Sequence, residues 1–133
     1  MELQQQVTNL ELSKRMKELG FKQKSFARWE VYTDPNTNRK KKLIVLQGGH
    51  TFGDVYSAYT VSELGEMLPM YLKIKEEFWD LIMIKAFPEY GVRYENSNHI
   101  EYIGAEGGAG ILDKSEANAR AKMLIYLKEN NLL

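Results

Sequence analysis

The chain has 133 residues, of which 44% are hydrophobic and 27% charged, and it has no cysteine. This length and composition predict one globular domain over residues 1–133, and they exclude disulfides, cysteine-ligated zinc and cysteine nucleophiles. Residues 1–42 hold ten Lys/Arg and five Asp/Glu, and the rest of the chain brings the net charge to zero. We favour two halves that attract each other, or solvated faces, over a basic half that meets an anionic partner.

Residues 1–6 have neither the basic start nor the apolar core of a secretory signal. No apolar run approaches the roughly 20 residues that cross a bilayer, and the longest candidate, Leu81 to Ile84, has the length of a strand. We therefore expect a soluble, cytoplasmic protein without a membrane partner.

A first helix is predicted after residue 8. Thr8 and Glu11 have the spacing of a capping box, in which the Thr8 hydroxyl caps the Glu11 amide. The apolar face and the C-terminal turn of this helix are formed by Leu12, Met16, Leu19 and Gly20.

A β-hairpin is predicted next. Phe26 to Thr33 is rich in aromatic and β-branched residues, residues 34–38 carry turn signals, and Lys41 to Gln47 returns as the second strand. A glycine-containing loop follows at residues 48–53.

A second capping box, Thr60 to Glu63, begins a short helix that Pro69 ends. Three or four strands are predicted between residues 70 and 103, although residues 70–77 fit a helix or a strand equally well. The best strand candidates are Phe78 to Phe87, Tyr90 to Glu95 and His99 to Gly104.

The last helix is predicted from Glu116 to Glu129 with Ser115 as its N-cap, and residues 113–116 offer a rival start. Its apolar arc is wider than one packing face requires, which indicates a helix deep in the fold or one that meets another subunit. The second alternative makes Met123, Tyr126 and Leu127 candidates for a homodimer surface.

The hairpin is the candidate site for nucleic acid or another partner. A run of four basic residues, Arg39, Lys40, Lys41 and Lys42, lies opposite two aromatic residues, Trp29 and Tyr32. Basic groups beside aromatic rings can hold a phosphate backbone or a single strand. Lysines on an edge strand also prevent aggregation, which is the simpler explanation.

Catalytic and metal-binding signals are weak. Residues 104–110 form a glycine-rich loop, and Gly108 to Ser115 approaches a phosphate-binding motif, but Asp113 replaces its second glycine. The two histidines, His50 and His99, show no metal-ligand spacing. We expect no cofactor and no metal, and we regard a small enzyme with an unrecognised site as an alternative.

Three segments, Val7 to Gly20, Tyr59 to Pro69 and Glu116 to Leu127, resemble a family of small uncharacterised proteins from bacterial prophages and mobile elements. The resemblance implies an origin in mobile DNA and a place in the bacterial cytoplasm. It implies no activity, cofactor or catalytic residue.

The sequence predicts an α+β fold of order α-β-β-α-β-β-β-α, with one antiparallel sheet packed by the N-terminal and C-terminal helices. We expect a non-enzymatic prophage accessory protein that binds another protein or itself. A nucleic-acid-binding protein that uses the basic hairpin and the N-terminal helix is the alternative.

Overall fold

A computed structural model of the chain describes residues 2–46, 53–96, 102–103 and 110–133, and these residues form an α+β fold as predicted. In chain order the elements are α1 (Leu3–Gln6), α2 (Leu10–Glu18), β1 (Ala27–Thr33), β2 (Lys40–Leu46), β3 (Asp54–Ala58), α3 (Val61–Met67), β4 (Tyr71–Ile74), β5 (Glu77–Ala86), β6 (Glu89–Asn96), β7 (Tyr102–Ile103), β8 (Ile111–Asp113) and α4 (Glu116–Glu129).

The strands form two antiparallel sheets, whereas the sequence predicted one. The first sheet has the order β2-β1-β3. The second has the order β4-β5-β6-β7, with β8 also paired to β6. α3 separates β3 from β4 in the chain, and the strands that follow it pair with one another instead of extending the first sheet.

The helices connect the two sheets. α4 contacts β6 and β8 of the second sheet and also α2 and α3, while α2 contacts β3 of the first sheet. The terminal helices therefore pack on different sheets, so their predicted position on one face of a single sheet is wrong. Within the part of the chain that is described, no helix is long and apolar enough to cross a membrane.

The predicted starts of the last two helices are confirmed. The Thr60 hydroxyl accepts a hydrogen bond from the Glu63 N–H, and the Glu63 carboxylate accepts one from the Thr60 N–H at 2.7 Å. The Ser115 hydroxyl caps α4 by accepting from the Asn118 N–H. Each cap satisfies backbone donors that lack a partner in the first helical turn.

The predicted capping box at Thr8 is wrong. Asn9 caps α2, because its side-chain oxygen accepts from the Leu12 N–H at 2.9 Å. Thr8 is fully buried, and its hydroxyl accepts from the Tyr59 N–H at 3.0 Å and lies 2.8 Å from the Ser13 hydroxyl. The Thr8 side chain is thus used to join α2 to the end of β3.

Two hydrophobic cores are present among the described residues. The larger surrounds α4 and includes Tyr94, whose phenol donates to the Pro69 carbonyl at 2.7 Å and whose burial raises its pKa. The smaller lies against one face of the first sheet and contains Val7, Leu10, Ala27, Trp29 and Ala58. α1 and the start of α2 cover this second core.

Candidate functional site

The basic run of residues 39–42 lies at the start of β2, which is an edge strand of the first sheet. All four side chains are exposed. Side chains alternate between the faces of a strand, and the register places Lys40 and Lys42 on the face that Trp29 occupies. Lys41 therefore points to the opposite face.

Lys41 is part of the hairpin turn. Its Nζ lies 2.8 Å from the Asp34 carboxylate, which also accepts from the Asn36 N–H at 2.9 Å. These hydrogen bonds, led by the one from Lys41, lower the pKa of Asp34. Lys41 thus stabilises the turn and is less available to a partner than Lys40 and Lys42.

The two aromatic residues predicted beside the basic run do not form a common platform. Trp29 is only 5% exposed, and its Nε1 donates to the Thr8 carbonyl at 2.8 Å. Tyr32 is half-buried and lies on the other face of β1, since it is three residues away. The predicted grouping of Trp29 and Tyr32 with the basic run as one binding surface is therefore wrong.

Two lysines from α2 join this face of the sheet, although sequence reasoning did not place them there. Lys14 and Lys17 lie over the Tyr56 ring, with Nζ 5.8 and 4.9 Å from its centroid. Tyr56 pairs with Trp29 across the strands, and the Lys42 Nζ lies 5.4 Å from the Trp29 ring. The cations of α2 and β2 are thus held over two neighbouring rings.

We define the basic face as the group of four lysines on the side of the first sheet that carries the smaller core. It consists of Lys14, Lys17, Lys40 and Lys42, with the rings of Trp29 and Tyr56 beneath three of them. Within the described residues none of the four lysines forms an ion pair. Asp54 is on the same face, two residues before Tyr56 in β3, and it too has no ion pair among them.

The candidate homodimer residues of α4 lie inside the fold. Met123 and Leu127 have no exposed surface and belong to the larger core, while Tyr126 is half-buried against it. The wide apolar arc of α4 is used by contacts within the chain, so the helix is deep in the fold. Met123 and Leu127 cannot form a subunit surface in this conformation.

A cleft of about 900 Å³ lies where α3 and α4 begin, and two of its lining residues are carboxylates. Asp113 accepts from Lys122 Nζ at 2.7 Å and from the Ser115 N–H at 2.8 Å. Burial raises the pKa of Asp113, but these hydrogen bonds outweigh it and the pKa is lowered. Glu116 accepts from Arg120 at 2.7 Å. Both carboxylates hold the start of α4 in place.

The other candidate groups fall largely outside the described residues. His50 and His99 lie there, and so do residues 104–109 of the glycine-rich loop. Within the described ranges no group of three or more His, Cys, Asp and Glu side chains could hold a metal ion.

Comparisons with known proteins found no family model, curated protein or solved structure that matches the chain. The resemblance to prophage proteins at the three helical segments therefore stays a prediction.

Proposed function

We propose that this chain is a non-enzymatic prophage accessory protein of the bacterial cytoplasm that binds an acidic surface of another protein through the basic face. The observation that carries this proposal is the grouping of four lysines, none in an ion pair among the described residues, on one face. Two come from α2 and two from β2, so folding brings them together from distant parts of the chain.

The rings beneath the lysines support the proposal. A cation over an aromatic ring gains about 0.5–1 kcal/mol at an exposed site, which limits the freedom of a long side chain. Lys17 is fixed further, since its Nζ donates to the Val55 carbonyl at 2.8 Å. Ammonium groups held in this way lose less entropy when they bind carboxylates.

The surroundings of the basic face favour protein over nucleic acid. Single-stranded nucleic acid binds by stacking bases on accessible rings. Trp29 is buried and Tyr32 lies on the other face, so the hairpin offers no such platform on this face. Exposed Leu46 lies on the same face of β2 as Lys40 and Lys42, beyond them along the strand, and an apolar side chain suits a protein partner better than a phosphate backbone.

The test is binding of the full chain to fluorescently labelled poly-L-glutamate, followed by anisotropy at several salt concentrations. We expect binding that weakens as salt rises. The triple variant K14E/K17E/K42E should bind on the order of tenfold more weakly or worse, because it replaces three attractive groups by three repulsive ones.

A matched control exists elsewhere on the chain. Lys73, Lys85 and Lys128 also lie over aromatic rings, with Nζ 5.8, 5.8 and 6.0 Å from the centroids. The variant K73E/K85E/K128E has the same net charge as the first and should keep most of the affinity. Equal losses in the two triple variants would overturn the proposal, and so would tighter binding of a single-stranded oligonucleotide than of poly-L-glutamate.

A further inference from the structure

The two edge strands of the first sheet, β2 and β3, differ in whether side chains bind their outward-facing backbone groups. At β3, Lys17 Nζ donates to the Val55 carbonyl at 2.8 Å, and the Gln23 side-chain oxygen accepts from the Ser57 N–H at 2.9 Å. Both backbone groups would otherwise be available to a further strand. Two side chains thus close this edge.

The outer edge of β2 is open in the described structure. Its seven residues pair with β1 on one side, and no hydrogen bond between described residues reaches the other side. Unpaired N–H and C=O groups in an edge strand are a template for a further strand. An added strand here would extend the sheet away from β3.

The side chains of β2 divide it into two halves. Lys40 to Lys42 are basic, and Leu43 to Leu46 are aliphatic and partly or largely exposed. Lysines repel a second basic edge and reduce self-pairing. Among the described residues, no charged side chain of β2 and no further hydrogen bond protects Leu43 to Leu46, so the edge favours a strand that is acidic at one end and aliphatic at the other.

We propose that β2 takes up an extended segment of the acidic partner as a fourth, antiparallel strand of the first sheet. This inference rests on the proposed function and specifies how the partner binds. Antiparallel pairing matches the existing ladders, and it places the C-terminal half of the partner segment beside Lys40 and Lys42. The partner segment therefore has aliphatic residues in its N-terminal half and acidic residues in its C-terminal half.

Two synthetic peptides, each as long as β2, test the order of the aliphatic and acidic halves. One has Val and Ile followed by Glu and Asp, and the other has the same residues with the two halves exchanged. We expect the first to bind the full chain about tenfold more tightly, since it places opposite charges and aliphatic side chains in facing pairs across the two strands, and both kinds of pair stabilise strand pairing.

N-methylation then separates strand addition from charge attraction. Alternate amides of an added strand face β2, so methyl groups on that set should abolish binding, while methyl groups on the other set should leave it within about twofold. Hydrogen exchange should show newly protected amides in β2 with the unmethylated peptide.

The outcomes of the two experiments are distinguishable. Equal binding of both peptide orders or of both methylated forms, with poly-L-glutamate still bound through the basic face, overturns strand addition and leaves the proposed function standing. Failure to bind poly-L-glutamate and either peptide overturns both.

Discussion

At the scale of single residues, Thr8 connects more of the fold than its place at the start of a helix suggests. Its N–H donates to the Tyr59 carbonyl at 2.9 Å, and its hydroxyl accepts from the Tyr59 N–H at 3.0 Å. Its carbonyl accepts from Trp29 Nε1, and its hydroxyl meets that of Ser13. One buried residue thus joins the start of α2 to both β1 and the end of β3.

Replacing Thr8 with Val should lower the free energy of unfolding by about 2 kcal/mol. Valine keeps the shape of threonine but leaves the Tyr59 N–H and the Ser13 hydroxyl buried without this partner. Urea unfolding followed by circular dichroism measures the change. T8S keeps the hydroxyl and should retain more stability.

Asn9→Ala is the matched control for the role of Thr8. It removes the side chain that caps α2 at an exposed position, and should cost about 1 kcal/mol. A smaller loss in T8V than in N9A would show that the buried hydroxyl contributes little, against the expectation from its contacts.

At the scale of elements, the turn between β4 and β5 is strained. Ile74 pairs with Glu77, and the two residues between them, Lys75 and Glu76, have φ of 48° and 68°. Two positive φ angles are the requirement of the type I′ hairpin turn, which strongly prefers Asn-Gly. Non-glycine residues are disfavoured in this region because Cβ approaches the backbone.

The double variant K75N/E76G should raise the free energy of unfolding by about 1 kcal/mol, because Asn and Gly adopt this turn at lower cost. Thermal or urea unfolding would measure it. K75A/E76A removes the same side chains but keeps a Cβ at both positions, so it should give no such gain. Equal stabilisation by both variants would assign the effect to lost side chains instead of backbone strain.

The elements that local chemistry defines are the ones that the sequence predicts. The Thr60–Glu63 capping box and the Ser115 cap involve groups three residues apart, so spacing alone identifies them. Thr8 has the same local pattern, but Tyr59, 51 residues away, takes its hydroxyl. The sequence does not predict β3, because its five residues depend on pairing with β1. It leaves β4 open between helix and strand, because Lys75-Glu76 carries no turn signal.

The candidate site also has one part that the local sequence pattern predicts and another that depends on tertiary packing. The basic run of residues 39–42 and the edge strand that carries it follow from the hairpin pattern. The burial of Trp29 and the arrival of Lys14 and Lys17 over Tyr56 depend on how α1 and α2 pack on the first sheet. The sequence suggests that the hairpin and the N-terminal helix act together, but no spacing within it encodes which lysines of the helix lie over which ring.

At the scale of the whole molecule, the charge distribution and the hydrophobic cores both divide the fold into an N-terminal part, which includes the first sheet, and a remainder, which includes the second sheet. Arg15 of α2 and Glu129 of α4 form an ion pair at 3.1 Å that joins the basic N-terminal part to the remainder. The other described ion pairs lie within one part or the other, as do Arg28–Glu30 and Arg93–Glu95 on the central strands of the two sheets. Among the described residues, Lys14, Lys17, Lys40 and Lys42 of the N-terminal part therefore form no ion pair with the remainder.

Counted over the described residues, the larger core has fifteen buried residues and the smaller has five. Regions with fewer buried apolar contacts open at lower free energy than the whole molecule unfolds. Native-state hydrogen exchange should therefore show less protection in β1 to β3 than in β6 and α4. Such local opening would also let the first sheet adjust its backbone more readily than the second when a further strand is added.

Replacing each tryptophan in turn with phenylalanine tests whether the two cores open separately. W29F removes the hydrogen bond to the Thr8 carbonyl and should lower protection in the first sheet by about 1 kcal/mol or more, with a smaller change in α4. Trp79 lies in the larger core, and its Nε1 has no acceptor among the described residues. W79F removes no hydrogen bond among the described residues but leaves a cavity in the larger core, so we expect it to lower protection in α4 and in β1 to β3 alike. If W29F lowers protection equally in β1 to β3 and in α4, the two sheets unfold as one cooperative unit.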